Sequence, residues 1–159
     1  MKNTKSQFKV SATFIGENSP TYGTKMKIDT PEQCIKFWED YAELMETFDP
    51  EKEHLIVIAL DTKFQFKGFN VVSVGTLNET IAHPREIFRP LVTISAHSFI
   101  LMHNHPSGDP KPSDADRQLT NRIKDGAEIM RIRFIDHVIV GKPQNHSQGY
   151  FSFREMGLI

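Results

Sequence analysis

"FILMHNHPSGDPKPSDAD", residues 99–116, decides the fold because it changes character twice. Residues 99–105 form a short apolar run that turns polar at its end, as a strand does when it leaves a core. "PSGDPKP" follows, a stiff loop whose prolines and glycine reverse the chain. Ser113 then opens a helix, with Leu119, Ile123, Ala127 and Met130 on one stripe. The reversal brings the start of that helix back toward the tip of the strand.

The flanks extend the same alternation of strands and helices. Upstream, Thr30-Pro31-Glu32-Gln33 has the chemistry of a helix start: a capping hydroxyl, a first-turn proline, and a glutamine at the capping-box position. Cys34, Trp38, Tyr41, Met45 and Phe48 continue at helical spacing until Asp49-Pro50. "LIVIALD", residues 55–61, predicts a strand buried on both faces. "FQFKGFNVVSVG", residues 64–75, predicts one or two strands bent near Gly68. "PREIFRPLVTISA" predicts a helix kinked or split at Pro90. "FIDHVIVG" at 134–141 is another buried strand, "KPQNHSQG" a loop, and "YFSFRE" a last strand. Near the N-terminus "FKVSATFI" alternates like a strand or extended arm, and "GENSPTYGTK" at 16–25 is linker-like. The expected organisation is an arm at residues 1–29 and one mixed α/β domain at residues 30–159, with a central sheet flanked by helices.

Composition narrows the function classes. A chain of 159 residues with 38% apolar and 25% charged residues can build an ordinary globular core, and twelve Phe make it aromatic-rich. A net charge of −1 argues against the electrostatic footprint that nucleic acid demands. No apolar run reaches the ~18 residues of a membrane span. "MKNTKSQFKV" has no secretion signal, so the cytoplasm is the expected compartment. The single cysteine, Cys34, allows no internal disulfide and no Cys-x-x-Cys zinc site.

Metal chemistry has a different source. On an extended backbone His103 and His105 point to one side, at the end of their strand. Asp116, in the first turn of the next helix, can add a carboxylate. Two imidazoles and one carboxylate suit a tetrahedral divalent ion, zinc above all, with one position open to water. Ser113-x-x-Asp116 also reads as a helix-capping pair, and the two readings are compatible.

The pattern His-x-His-x7-Ser-x-x-Asp resembles the JAMM motif of MPN⁺/JAB metalloprotease domains. "HPREIFRP", "DHVIVG" and "YFSFREMGLI" sharpen the likeness to the C-terminal domain of RadC-type proteins, over roughly residues 53–159. Such proteins often carry an N-terminal helix-hairpin-helix region; residues 1–50 show no such pattern, so a stand-alone JAB domain is expected. The resemblance implies the MPN/JAB (cytidine-deaminase-like) architecture with a mostly antiparallel sheet. It implies one zinc ion per chain on His103, His105 and Asp116. It also implies a glutamate, from an earlier strand, that takes a proton from water. Glu53, directly before "HLIVIAL", is favoured over Glu86 in "PREIF". Ser113 would hydrogen-bond the developing oxyanion. The implied substrate is a peptide or isopeptide in a protein partner. The alternatives are a protein-interaction module without turnover and a DNA-associated role. For the latter, "HNH" is a poor argument, because the nuclease motif of that name is not a contiguous tripeptide.

The remaining candidates have ordinary readings. His137, on a buried strand, is expected to be a hydrogen-bonded core histidine. His54 could support the site or lie at the surface, while His83 and His97 carry no spacing signal. Asp109 reads as an Asp-Pro turn, Arg85 and Arg89 as a solvated helix face, and Cys34 and Trp38 as core.

Overall fold

A computed structural model describes residues 25–75, 82–143 and 148–159. The strand-like stretch at residues 8–15 and all but the last residue of the linker-like stretch lie outside the described residues. The architecture is a five-stranded sheet flanked by helices, as the apolar runs dictate. In chain order the elements are α1 (Pro31–Phe37), β1 (Glu53–Leu60), β2 (Phe66–Gly75), α2 (Pro84–Thr93), β3 (Ser98–Asn104), α3 (Asp114–Met130), β4 (Arg133–Val140) and β5 (Tyr150–Ser152). The strands lie in the order β2-β1-β3-β4-β5. Every pairing is antiparallel except β3 with β4, which α3 joins as a crossover.

Strand β3 is central and every one of its residues is buried. Its alternation sends side chains to two cores. Phe99 and Leu101 meet Ile87, Phe88 and Leu91 of α2 and Leu119, Ile123 and Ala127 of α3. Ile100 and Met102 meet Cys34, Phe37 and the π-helical residues Trp38 and Ala42 on the opposite face. The imidazole of His103 therefore belongs to the face that carries α2 and α3.

Three local details depart from or refine the sequence reading. The first helix begins as expected, with a complete capping box between Thr30 and Gln33. It does not run on as an α-helix to Phe48. At Trp38–Ala42 it widens into a π-turn, in which Glu43 N–H reaches the Trp38 carbonyl at 3.0 Å. The wider turn lets Phe37, Trp38 and Ala42 all bury against the sheet, a set that α-helical spacing would spread around the cylinder. Pro90 does not split α2, which is continuous through it. Near Gly68 there is one strand with a bulge: Gly68 pairs with Ala59 and Phe66 with Leu60, so Lys67 is the extra residue.

Candidate metal centre

The tip of β3 is held from three sides. His105 N–H extends the pairing to the Val140 carbonyl at 2.9 Å. Asn104, between the two histidines, faces the other side of the sheet. It accepts the His54 N–H at 2.8 Å and donates to the Lys52 carbonyl at 2.9 Å, tying the start of β1 to the end of β3. The loop then turns at Gly108, whose φ of +82° suits glycine. Its N–H returns to the His105 carbonyl, and its own carbonyl accepts the Lys142 N–H. Gly141 makes this approach feasible, since a Cβ there would lie 2.5 Å from the Gly108 oxygen.

Helix α3 begins with a second capping box. Ser113 Oγ accepts the Asp116 N–H at 3.2 Å, and Asp116 Oδ2 accepts both the N–H and the hydroxyl of Ser113 at 2.7 Å. The cap holds the Asp116 carboxylate toward the strand tip. The Nε2 atoms of His103 and His105 lie 3.1 Å apart. Asp116 Oδ1 is 3.1 Å from His103 Nε2, and Oδ2 is 3.4 Å from His105 Nε2. The three side chains offer ligand atoms within 4.8 Å of one another and could hold a metal ion. His103 and Asp116 are fully buried, while the His105 side chain keeps 11% of its surface open to solvent.

The donor set fits a divalent cation. His105 Nδ1 lies 2.8 Å from the Asp109 carbonyl, which can only accept, so Nδ1 carries the hydrogen and Nε2 presents a lone pair. Asp116 Oδ2 is engaged by Ser113, whereas Oδ1 is buried and receives no hydrogen bond. A buried acceptor left so costs about 1–3 kcal/mol, and a cation among the three atoms would satisfy it. Burial works to raise the Asp116 carboxyl, but its close contacts with the imidazoles, His103 first and then His105, and the Ser113 hydroxyl outweigh it and hold the group well below the usual carboxylate range. Burial disfavours charge on His105, yet Asp116, the Asp109 carbonyl and the charge of Glu53 together raise its pKa.

Behind His103 lies a layer that the sequence reading did not assemble. His103 Nδ1 is 2.9 Å from His137 Nε2, and His137 Nδ1 is 2.7 Å from Thr120 Oγ1. The Thr120 hydroxyl also donates to the backbone carbonyl of Asp116 at 2.7 Å. His137 is the hydrogen-bonded core histidine that its strand suggested, stacked on Phe153 at 4.9 Å. Burial and the neighbouring His103 push its pKa well below the ordinary value.

Glu53 opens β1 at a half-buried position. Leu55 pairs with His103 in the antiparallel register, so two residues back along β1 the Glu53 side chain shares the face and end of the sheet with His105. Glu86 lies on α2, in ion pairs with Arg85 at 3.2 Å and Arg89 at 3.1 Å. Asp109 meets His105 through its backbone, and its carboxylate accepts the Lys111 N–H at 2.9 Å. His54 is buried on the opposite face, where it contacts Phe48 and the Lys52 carbonyl.

A sequence model described as "RadC-like JAB domain" matches residues 28–158. A UPF0758 protein of Pelodictyon phaeoclathratiforme is 49% identical over 111 residues, which are 70% of this chain and 48% of the relative. A UPF0758 protein of Chlorobium chlorochromatii is 48% identical over 111 residues, again 70% of this chain and 48% of the relative. A UPF0758 protein of Thermotoga maritima is 41% identical over 131 residues, 82% of this chain and 54% of the relative. The chain spans about half the length of the curated relatives it matches. Among the described residues, no helix is long and apolar enough to cross a membrane.

Proposed function

This chain belongs to the RadC-like JAB domain family, and from that premise we propose that it is a zinc-dependent hydrolase of the JAMM type, cleaving peptide or isopeptide amide bonds. The observation that carries the reading is the convergence of His103 Nε2, His105 Nε2 and Asp116 on one buried point, with Asp116 Oδ1 lacking any other partner. His103, His105 and Asp116 would hold the ion. When bound, zinc supplies a Lewis acid that brings the pKa of water to about 7.

The chain's own groups supply the rest. Glu53, on the sheet face that carries the imidazoles, would take the proton from the attacking water and deliver it to the departing amine. The hydroxyl of Ser113, a residue exposed to solvent, would turn from Asp116 Oδ2 to the substrate oxygen as that oxygen gains charge. The partial exposure of His105 marks the side from which an amide reaches the site.

Two measurements test this together. Protein purified without added metal is expected to contain about one zinc per chain. Against a library of peptides and isopeptides, the parent and Glu86→Gln should cleave the same bonds, while Glu53→Gln keeps its zinc and loses turnover. A parent chain that does not bind zinc on titration, or a Glu53→Gln variant as active as the parent, would overturn the proposal.

A further inference from the structure

We propose that Thr120 and His137 are positioning residues that fix which ring nitrogen of His103 keeps its lone pair, and thereby set the affinity of the site for a divalent cation. The inference rests on the metal reading above and deepens it. Its basis is a count of hydrogens. Thr120 Oγ1 and the Asp116 carbonyl oxygen are 2.7 Å apart, a separation that two oxygens hold only with a proton between them. The hydroxyl has one proton, and the carbonyl has none to give. Toward His137, 2.7 Å away, Thr120 can therefore only accept, so His137 Nδ1 carries a hydrogen.

His137 is wholly buried, and a single hydrogen on a neutral imidazole leaves its Nε2 bare. That nitrogen lies 2.9 Å from His103 Nδ1 and must accept from it. His103 thus carries its hydrogen on Nδ1 and presents Nε2 as a lone pair toward Asp116 and His105. The relay closes on itself: Asp116 contributes its carboxylate to the site and its backbone carbonyl to the chain of bonds that orients a neighbouring imidazole. Thr120 lies one helical turn beyond Asp116, which places both ends of the relay on α3.

Replacing the hydroxyl by a methyl reverses the logic. In Thr120→Val the His137 Nδ1 hydrogen has no acceptor. The proton then moves to Nε2, points at His103 Nδ1, and drives the His103 hydrogen onto Nε2, where the cation would bind. Thr120→Ser keeps the hydroxyl and restores the order.

The experiment uses the whole chain and zinc alone, with a chromophoric chelator as competitor. Thr120→Val should bind zinc about 10- to 100-fold more weakly than the parent, and Thr120→Ser close to the parent. In the metal-free parent, ring ¹⁵N spectra should show His103, His105 and His137 all protonated on Nδ1. A Thr120→Val affinity equal to that of a zinc-binding parent, or a His103 protonated on Nε2 in the metal-free parent, would overturn the relay. A parent that binds no zinc would overturn the metal reading, and the ring spectra would still judge the hydrogen-bond order by themselves.

Discussion

The side-chain oxygen of Asn104 accepts the backbone N–H of His54 at 2.8 Å, and its amide nitrogen reaches the Lys52 carbonyl at 2.9 Å. One carboxamide thus grips the backbone on both sides of Glu53 from the opposite face of the sheet. Asn104→Ala should leave the His54 N–H without a partner, while the Lys52 carbonyl keeps only the His54 ring nitrogen at 3.0 Å, and cost about 1–3 kcal/mol of stability. The imidazoles are untouched, so zinc affinity should hold while hydrolysis falls, because the glutamate loses its anchor. Urea denaturation beside a zinc titration checks this. A variant of parental stability, or one that loses zinc as readily as a ligand mutant, would show that Asn104 does something else.

Asp116 has two jobs that one substitution separates. Its Oδ2 accepts from Ser113, and its Oδ1 faces the imidazoles. In Asp116→Asn the carboxamide oxygen can keep the cap, so near pH 8 the stability change should stay within about 1 kcal/mol. The other side of the group now offers N–H donors where a cation needs an acceptor. Zinc affinity should fall by more than the roughly 100-fold typical of losing a supporting hydrogen bond. A large stability loss with zinc affinity intact would reduce Asp116 to a helix cap.

The parts of the molecule legible in sequence are those whose signal is local. The buried runs that became β1, β3 and β4 declare themselves by length, and both capping boxes by a spacing of three. His103 and His105 share a strand, and Asp116 follows a turn of fixed stiffness, so their meeting is a short-range event. The π-turn at Trp38–Ala42 is different, since the same apolar residues fit an α-helix until the sheet selects which of them to bury. The Asn104 clamp spans about fifty residues of chain, and the relay needs Thr120 from α3 to meet His137 from β4. Neither residue carries a spacing pattern, because their partners are set by the tertiary fold.

The metal-free protein should show a stability maximum near the ordinary histidine pKa of about 6.5. Burial, and then the neighbouring His103, push the pKa of His137 well below that value, so the native state refuses a proton that the unfolded chain accepts. Its contribution is present above the unfolded pKa and is lost as pH falls below it, by up to about 1.4 kcal/mol per pH unit for one proton. His105 has the opposite sign. Burial opposes its charge but the Asp116 contact prevails and raises its pKa, so its contribution is complete below the unfolded value and disappears as pH rises through the folded one. Denaturant midpoints between pH 5.5 and 8, a range of about 2.5 units around that pKa, should therefore rise and then fall on acidification. His137→Gln should flatten the acid limb. Midpoints that ignore pH over the range would count against a neutral, buried His137.

Glycine to alanine inside a helix ordinarily stabilises by about 0.5–1 kcal/mol. At Gly126 of α3 the sign should reverse. A Cβ there would sit 2.7 Å from Phe88 Cε2 of α2, closer than carbon atoms tolerate. The Phe88 ring has little room to retreat, being 7% exposed and edge-on to Phe99 with centroids 5.7 Å apart. Overpacking of this kind costs about 1–3 kcal/mol, which exceeds the helix-propensity gain. Gly126→Ala should lower the unfolding midpoint and leave zinc affinity unchanged, since the strain lies about three turns from Asp116. The decisive comparison is a double-mutant cycle. In a Phe88→Leu background the ring is gone, and Gly126→Ala should become neutral or stabilising. If the alanine destabilises equally in both backgrounds, the α2–α3 contact is not what requires a glycine there.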